Sequence, residues 1–242
     1  MSDKNQTVVV AHAGQLLEAN TRRQFLKAMS VGGSAVFLSG VLASCSDDDD
    51  GPTPPGGGTV TLNLGNDTGI LNYAYALEQL EAAFYTRVQT GFGTSGLSSA
   101  EQAIFTDIKN HEVIHRDAFA VILGGAKIGN LTPNFSAVNF SDRTSILTTA
   151  RTFEDLGVSA YNGAGKYLTS VDNLVVAGKI VSVEARHAAV IRDIINPDGR
   201  FFAGNDVVNG QGLDVVNEPS RVLDAARPFI TTPIRIGTQP VA

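Results

Sequence analysis

Glutamate and histidine stand three residues apart twice in this chain, at Glu112/His115 and Glu184/His187. On an α-helix positions i and i+3 share one face, so each pair presents a carboxylate and an imidazole side by side. Iron and manganese, as hard-to-borderline transition metals, accept that mixed oxygen and nitrogen set. Chance is a poor source for it. With 8 Glu in 242 residues, any one His has roughly a 3% chance of a Glu three positions earlier. Two of the four His meet that condition.

The elements that must carry these pairs announce themselves through caps and periodicity. Asn66-Asp67-Thr68 offers an N-cap for a helix running to about Thr90 and stopped by Gly91. Its inward stripe reads Leu71, Ala74, Glu78, Glu81, Tyr85 and Val88. Ser98 with Glu101 has the spacing of a capping box and opens a second helix, ended by Gly124-Gly125. Phe105, Ile108, Glu112, His115, Phe119 and Ile122 line its inner face. Residues 125–140, with Asn, a Pro and no helical period, form the long connection. Ser141 caps a third helix with Leu147, Ala150, Glu154, Gly157, Tyr161, Ala164 and Leu168 inward. A turn over residues 170–173 leads to a fourth, with Ala177, Ile180, Glu184, His187, Ile191 and Ile194 inward, and Asn196-Pro197-Asp198-Gly199 ends it. Residues 59–64 alternate as a short strand or an extended arm would. The segment from Pro219 through Ile230 is expected to be a short helix closing one end of the bundle.

The pattern repeats internally. Glu78 is followed seven residues later by Tyr85, and Glu154 by Tyr161. Each Glu-x6-Tyr helix precedes one with Glu-x-x-His. Two helical hairpins of one design, packed face to face, would bring four Glu and two His to one point. Glutamates buried on inner faces are costly without a counter-charge, and a dinuclear cation supplies one. Glu81 lies on the Glu78 stripe one turn on and is the alternative ligand, or a support behind the ligands. The repeat pairs it with Gly157 and so favours Glu78. Tyr85 and Tyr161 either hydrogen-bond ligand carboxylates or simply fill core. His111, about 100° around the helix from Glu112, reads as a surface histidine. Phe119 reads as core, and Asp117 and Asp155 as solvated or paired with arginine.

Here the chain resembles the ferritin-like superfamily, and within it the ferritin-like family that includes desiccation-related proteins. The words that carry this are Leu77-Glu78-Gln79-Leu80-Glu81-Ala82-Ala83-Phe84-Tyr85 and Phe153-Glu154-Asp155-Leu156-Gly157-Val158-Ser159-Ala160-Tyr161. The resemblance covers residues 71–195. It implies an all-α fold, a ferritin-like four-helix bundle of two helical hairpins joined by a long crossover, with an irregular N-terminal linker and C-terminal tail. It also implies two iron or manganese ions, with Glu112 and Glu184 bridging, His115 and His187 each on one metal, and Glu78 and Glu154 terminal. The expected function is a di-metal carboxylate protein reacting with dioxygen or peroxide in stress protection, as an oxidase, peroxidase or catalase. The alternative is a non-catalytic desiccation or stress protein that keeps the bundle.

The chain's first part reads as an address. Thr21-Arg22-Arg23-Gln24-Phe25-Leu26-Lys27 precedes an apolar stretch ending in Leu42-Ala43-Ser44-Cys45. That stretch is short and Gly/Ser-interrupted, unlike a bilayer span. It resembles a twin-arginine signal joined to a lipoprotein cleavage box, which implies lipidation of Cys45 and anchoring to a membrane of the cell envelope. Cys45 is the only cysteine, so no intramolecular disulfide forms and the metal ligands must be oxygen and nitrogen. The expected organisation is a signal peptide over 1–44, an acidic and Pro/Gly-rich linker over 45–65, the bundle over 66–196 and a C-terminal extension over 197–242 packed on it. Without residues 1–44 the chain holds 14 basic and 22 acidic side chains. No basic cluster remains to suit nucleic acid. Iron storage needs a closed multi-subunit shell, which a tethered N-terminus fits badly, although a smaller homo-oligomer remains compatible with the sequence.

Overall fold

The computed structural model describes residues 58–197 and 199–240. The twin-arginine segment, Cys45 and the linker before residue 58 lie outside the described residues. Four long helices dominate: α1 (Asp67–Thr90), α2 (Ser99–Leu123), α3 (Arg143–Ala164) and α4 (Val171–Ile195). Each starts on a side chain that accepts an otherwise unpaired backbone N–H. Asn66 Oδ1 accepts from Gly69 at 3.0 Å, and Ser98 and Glu101 close a reciprocal capping box. Ser170 accepts from Asn173. The third cap differs from expectation by one residue. Asp142, not Ser141, holds the extended conformation and accepts from Thr144 N at 3.0 Å, its carboxylate being the stronger acceptor.

α1 packs along α2 and α3 along α4, giving two hairpins that face each other across the core. The crossover between them, after a 3-10 turn at Gly124–Ala126, runs back over α1. Two α1 side chains pin it there. Asn72 bonds Ala126 O at 2.9 Å and Ile128 N at 2.7 Å, and Gln79 Oε1 accepts from Leu131 N at 2.8 Å. α1 is therefore buried on nearly every face, including Tyr73, Ala76, Leu80 and Phe84 outside its inner stripe. This is the fully ferritin-like bundle arrangement expected of two hairpins with one long connection.

The ends of the described chain come together on the bundle. Residues 59–64, open as strand or arm, are a strand: β1 (Val60–Asn63) pairs in parallel with β2 (Ile234–Thr238), a strand the sequence reading did not place. β1 presses so closely on α1 that a Cβ at Gly69 would fall 1.6 Å from Asn63 O. Between α4 and β2, helix α5 (Pro219–Ala226) begins on its proline as expected and packs against α3. Arg192 of α4, 1% exposed, holds this region by bonding both carboxylate oxygens of Asp155 at 2.8 and 2.9 Å and those of Asp206 at 3.2 and 2.6 Å. Asp155 is thus paired with arginine, and Asp117 likewise bonds Arg116. Leu168, expected at the inner end of α3, lies past a 3-10 turn at Gly165–Tyr167 and is only partly buried. Among the described residues no helix is long and apolar enough to cross a membrane.

Candidate metal centre

Helical spacing puts the acidic residues on the buried face of all four helices, and those faces converge on one place. Glu78 comes from α1, Glu112 and His115 from α2, Glu154 from α3, and Glu184 and His187 from α4. The four glutamates are fully buried and the two histidines nearly so. They form two overlapping groups, Glu78/Glu112/His115/Glu184 and Glu112/Glu154/Glu184/His187, each with one donor atom per residue within 4.8 Å of the others. Glu112 and Glu184 are common to both. The Nδ1 of His115 lies 2.8 Å from Glu184 Oε1, 3.5 Å from Glu78 Oε2 and 3.7 Å from Glu112 Oε2. The Nδ1 of His187 lies 2.8 Å from Glu112 Oε1, 3.4 Å from Glu154 Oε2 and 3.7 Å from Glu184 Oε2.

Whether this cluster fits a pair of cations can be tested on its unpaired atoms. Buried polar atoms almost always have a hydrogen-bond partner. Among the described residues eleven buried side-chain nitrogen and oxygen atoms have none, and eight of these belong to the six cluster residues. They are both oxygens of Glu112 and of Glu184, one oxygen each of Glu78 and Glu154, and Nδ1 of each histidine. The other oxygens of Glu78 and Glu154 are occupied. Tyr161 donates its hydroxyl to Glu78 Oε1, and Tyr85 donates to Glu154 Oε1 at 2.5 Å, each across to the opposite hairpin. The free atoms therefore match two cations: two oxygens on each shared carboxylate, one on each unshared carboxylate, and one nitrogen on each imidazole. The donor set fits.

The electrostatics agree. Burial and the neighbouring carboxylates push Glu78 and Glu154 up to about 8, against the pull of His115 and His187. Burial would raise Glu112 too, but the two histidines outweigh it and hold that carboxyl well below its usual range. His115 and His187 are raised well above an ordinary imidazole: burial opposes this, and the surrounding carboxylates overcome it. Without cations the cluster must hold protons among its carboxylates and imidazoles. Tyr85 and Tyr161, raised by burial and by Glu154 and Glu78, keep their phenolic protons for those hydrogen bonds.

Three neighbours complete the centre. Glu81 is buried but in neither donor group. Its Oε1 lies 3.1 Å from the point that a Cβ on Gly157 would occupy. Burial and then Glu184 and Glu112 raise its carboxyl well above the usual value. Phe119 is fully buried beside Tyr161, as core. His111 makes a contact that the sequence did not show. It is exposed, as expected of a surface histidine, yet its Nδ1 is 2.9 Å from His187 Nε2. The ring planes lie within 7° and the centroids 5.1 Å apart, as two rings joined edge to edge would be. The 100° offset places its Cα off the inner face, but α4 comes close enough for the ring to reach across. Intrahelical periodicity carries no signal of that approach.

Comparison with protein families gives a match over residues 66–197 to the family described as the ferritin-like domain. That span begins at the α1 cap and ends just past α4. No curated protein matches the chain.

Proposed function

The chain belongs to the ferritin-like domain family, and from that premise we propose that it is a di-metal carboxylate protein of the cell envelope that reacts with dioxygen or peroxide. Ferritin-like bundles commonly hold such centres between a Glu from each of two helices and a Glu-x-x-His pair from each of the other two. The observation that carries the reading is the set of eight unpaired buried atoms, whose number on each residue suits two cations. Glu112 and Glu184 would be shared, Glu78 with His115 would complete one position, and Glu154 with His187 the other. Oxygen and nitrogen donors of this kind suit iron or manganese.

When bound, a redox-active pair would supply electrons to dioxygen or peroxide, or take them from peroxide. The chain's own residues set the conditions. Tyr85 and Tyr161 fix the unshared carboxylates and hold a proton at each hydroxyl oxygen, within one hydrogen bond of the ligands. Phe105 packs beside Tyr85 and Phe119 beside Tyr161, both fully buried, so each tyrosine lies against an apolar ring. Envelope anchoring is supported by Arg22, Arg23 and the lone Cys45. The twin-arginine route carries folded proteins, which suits a chain whose cofactor is inserted before export.

Metal analysis of natively exported protein, coupled to dioxygen and peroxide consumption, tests the proposal. About two iron or manganese ions per chain with turnover supports it in full. Two ions with no consumption of either oxidant leaves a metal-bearing stress protein without oxidant chemistry. Metal near zero removes the proposal.

A further inference from the structure

The internal repeat relates the two donor groups, and the distances keep that symmetry: 2.8 Å in both groups, 3.5 against 3.4 Å, and 3.7 Å in both. Two residues break it, and both fall on the same side. The first is Glu81, whose repeat counterpart is Gly157. A Cβ at Gly157 would lie 3.1 Å from Glu81 Oε1 and 3.7 Å from Glu184 Oε2. The space left by the glycine thus admits the Glu81 carboxyl beside Glu184 Oε2. That oxygen faces His187, while Glu184 Oε1 faces His115.

The second is His111, whose counterpart is Val183. His187 turns Nδ1 toward the carboxylates, so as a ligand it carries its proton on Nε2, 2.9 Å from His111 Nδ1. That hydrogen bond fixes the ring and makes the ligating nitrogen a better donor. Valine offers His115 no such bond.

We propose that the two cation positions are unequal: the Glu112/Glu154/Glu184/His187 position binds more tightly and fills first, and His111 and Glu81 set the difference. This rests on the di-metal reading above. The Glu81 carboxyl adds a further oxygen beside Glu184 on that side only, and the imidazole pair acts on the same cation. Both are positioning residues outside the donor groups.

The test is titration of the chelator-treated full chain with Mn(II), followed by electron paramagnetic resonance. An isolated-ion signal should grow over the first equivalent and give way to a spin-coupled pair over the second, with affinities about tenfold or more apart. His111→Ala should weaken the first step by about tenfold and leave the second in place. His111→Gln, which keeps an acceptor oxygen, should restore most of it, a rescue that a purely structural role would not show. Glu81→Gln, which conserves volume, should also weaken the first step. Equal affinities in the unaltered chain, or variants that weaken only the second step, would overturn the inequality while leaving two ions bound. Absence of any Mn(II) binding would overturn the di-metal reading itself, and this inference with it.

Discussion

A carboxylate shared by two cations and an imidazole serving one must respond differently to removal. Glu112→Ala and Glu184→Ala should each cost both ions, whereas His115→Ala or His187→Ala should cost about one. Elemental analysis at matched helical circular dichroism decides this, and full occupancy in all four variants would refute the ligand assignment. Protonation gives a second expectation. In the metal-free protein Glu78 and Glu154 are raised to about 8, above their unfolded values. Their contribution to stability is fully present below about pH 4.5 and is lost as pH rises through about 8. His115 and His187 are raised too and act in the same direction above their ordinary range. Glu112 is depressed and acts oppositely, but only at acid pH. The melting temperature of chelated protein should therefore fall from pH 5 to pH 9, and the metal-loaded protein should resist that fall. A rise across that range would contradict the electrostatic account. At this scale the sequence was informative about Glu78, Glu112, His115, Glu154, Glu184 and His187 because helical phase follows from spacing alone. His111 is the surface histidine that its offset predicts, but its contact with His187 was not legible because it depends on how closely two helices approach.

Elements were legible where local chemistry sets them. Asn66, Ser98 and Glu101 mark helix starts by the N–H groups that they satisfy, whereas residues 170–173, expected as a turn, already hold the fourth start, with Ser170 as its cap and Val171 in the helix. Around the third start, Ser141 and Asp142 are both competent caps, and spacing alone does not choose between them. β2 escaped notice because its pairing with β1 joins residues about 170 positions apart, and a short parallel strand has no local turn signal. That pairing explains Gly69, where a side chain has no room beneath Asn63 O. Gly69→Ala should displace β1 from α1 and cost about 1–3 kcal/mol, read as a lower melting temperature. The metal count should not change, because the substitution lies more than two turns from Glu78. An unaltered melting temperature would show that the close contact is relieved elsewhere.

Across the whole molecule, the described residues form a carrier for one buried centre, with crossover, β-pair and C-terminal helix laid around α1 and α3. Its proposed location is a separate matter and rests on residues before the bundle. Cys45→Ala should release the protein from the membrane fraction, and replacing Arg22 and Arg23 by Lys should block export. Membrane retention of the Cys45 variant would mean that the apolar stretch over residues 28–44 is a true anchor. The central claim stands apart from location, since the six donors and eight unpaired atoms lie within the bundle. Its most direct test is elemental analysis of the natively exported protein, purified without chelators. The account predicts about two iron or manganese ions per chain. A reproducible value near zero, in protein with full helical content, would contradict it.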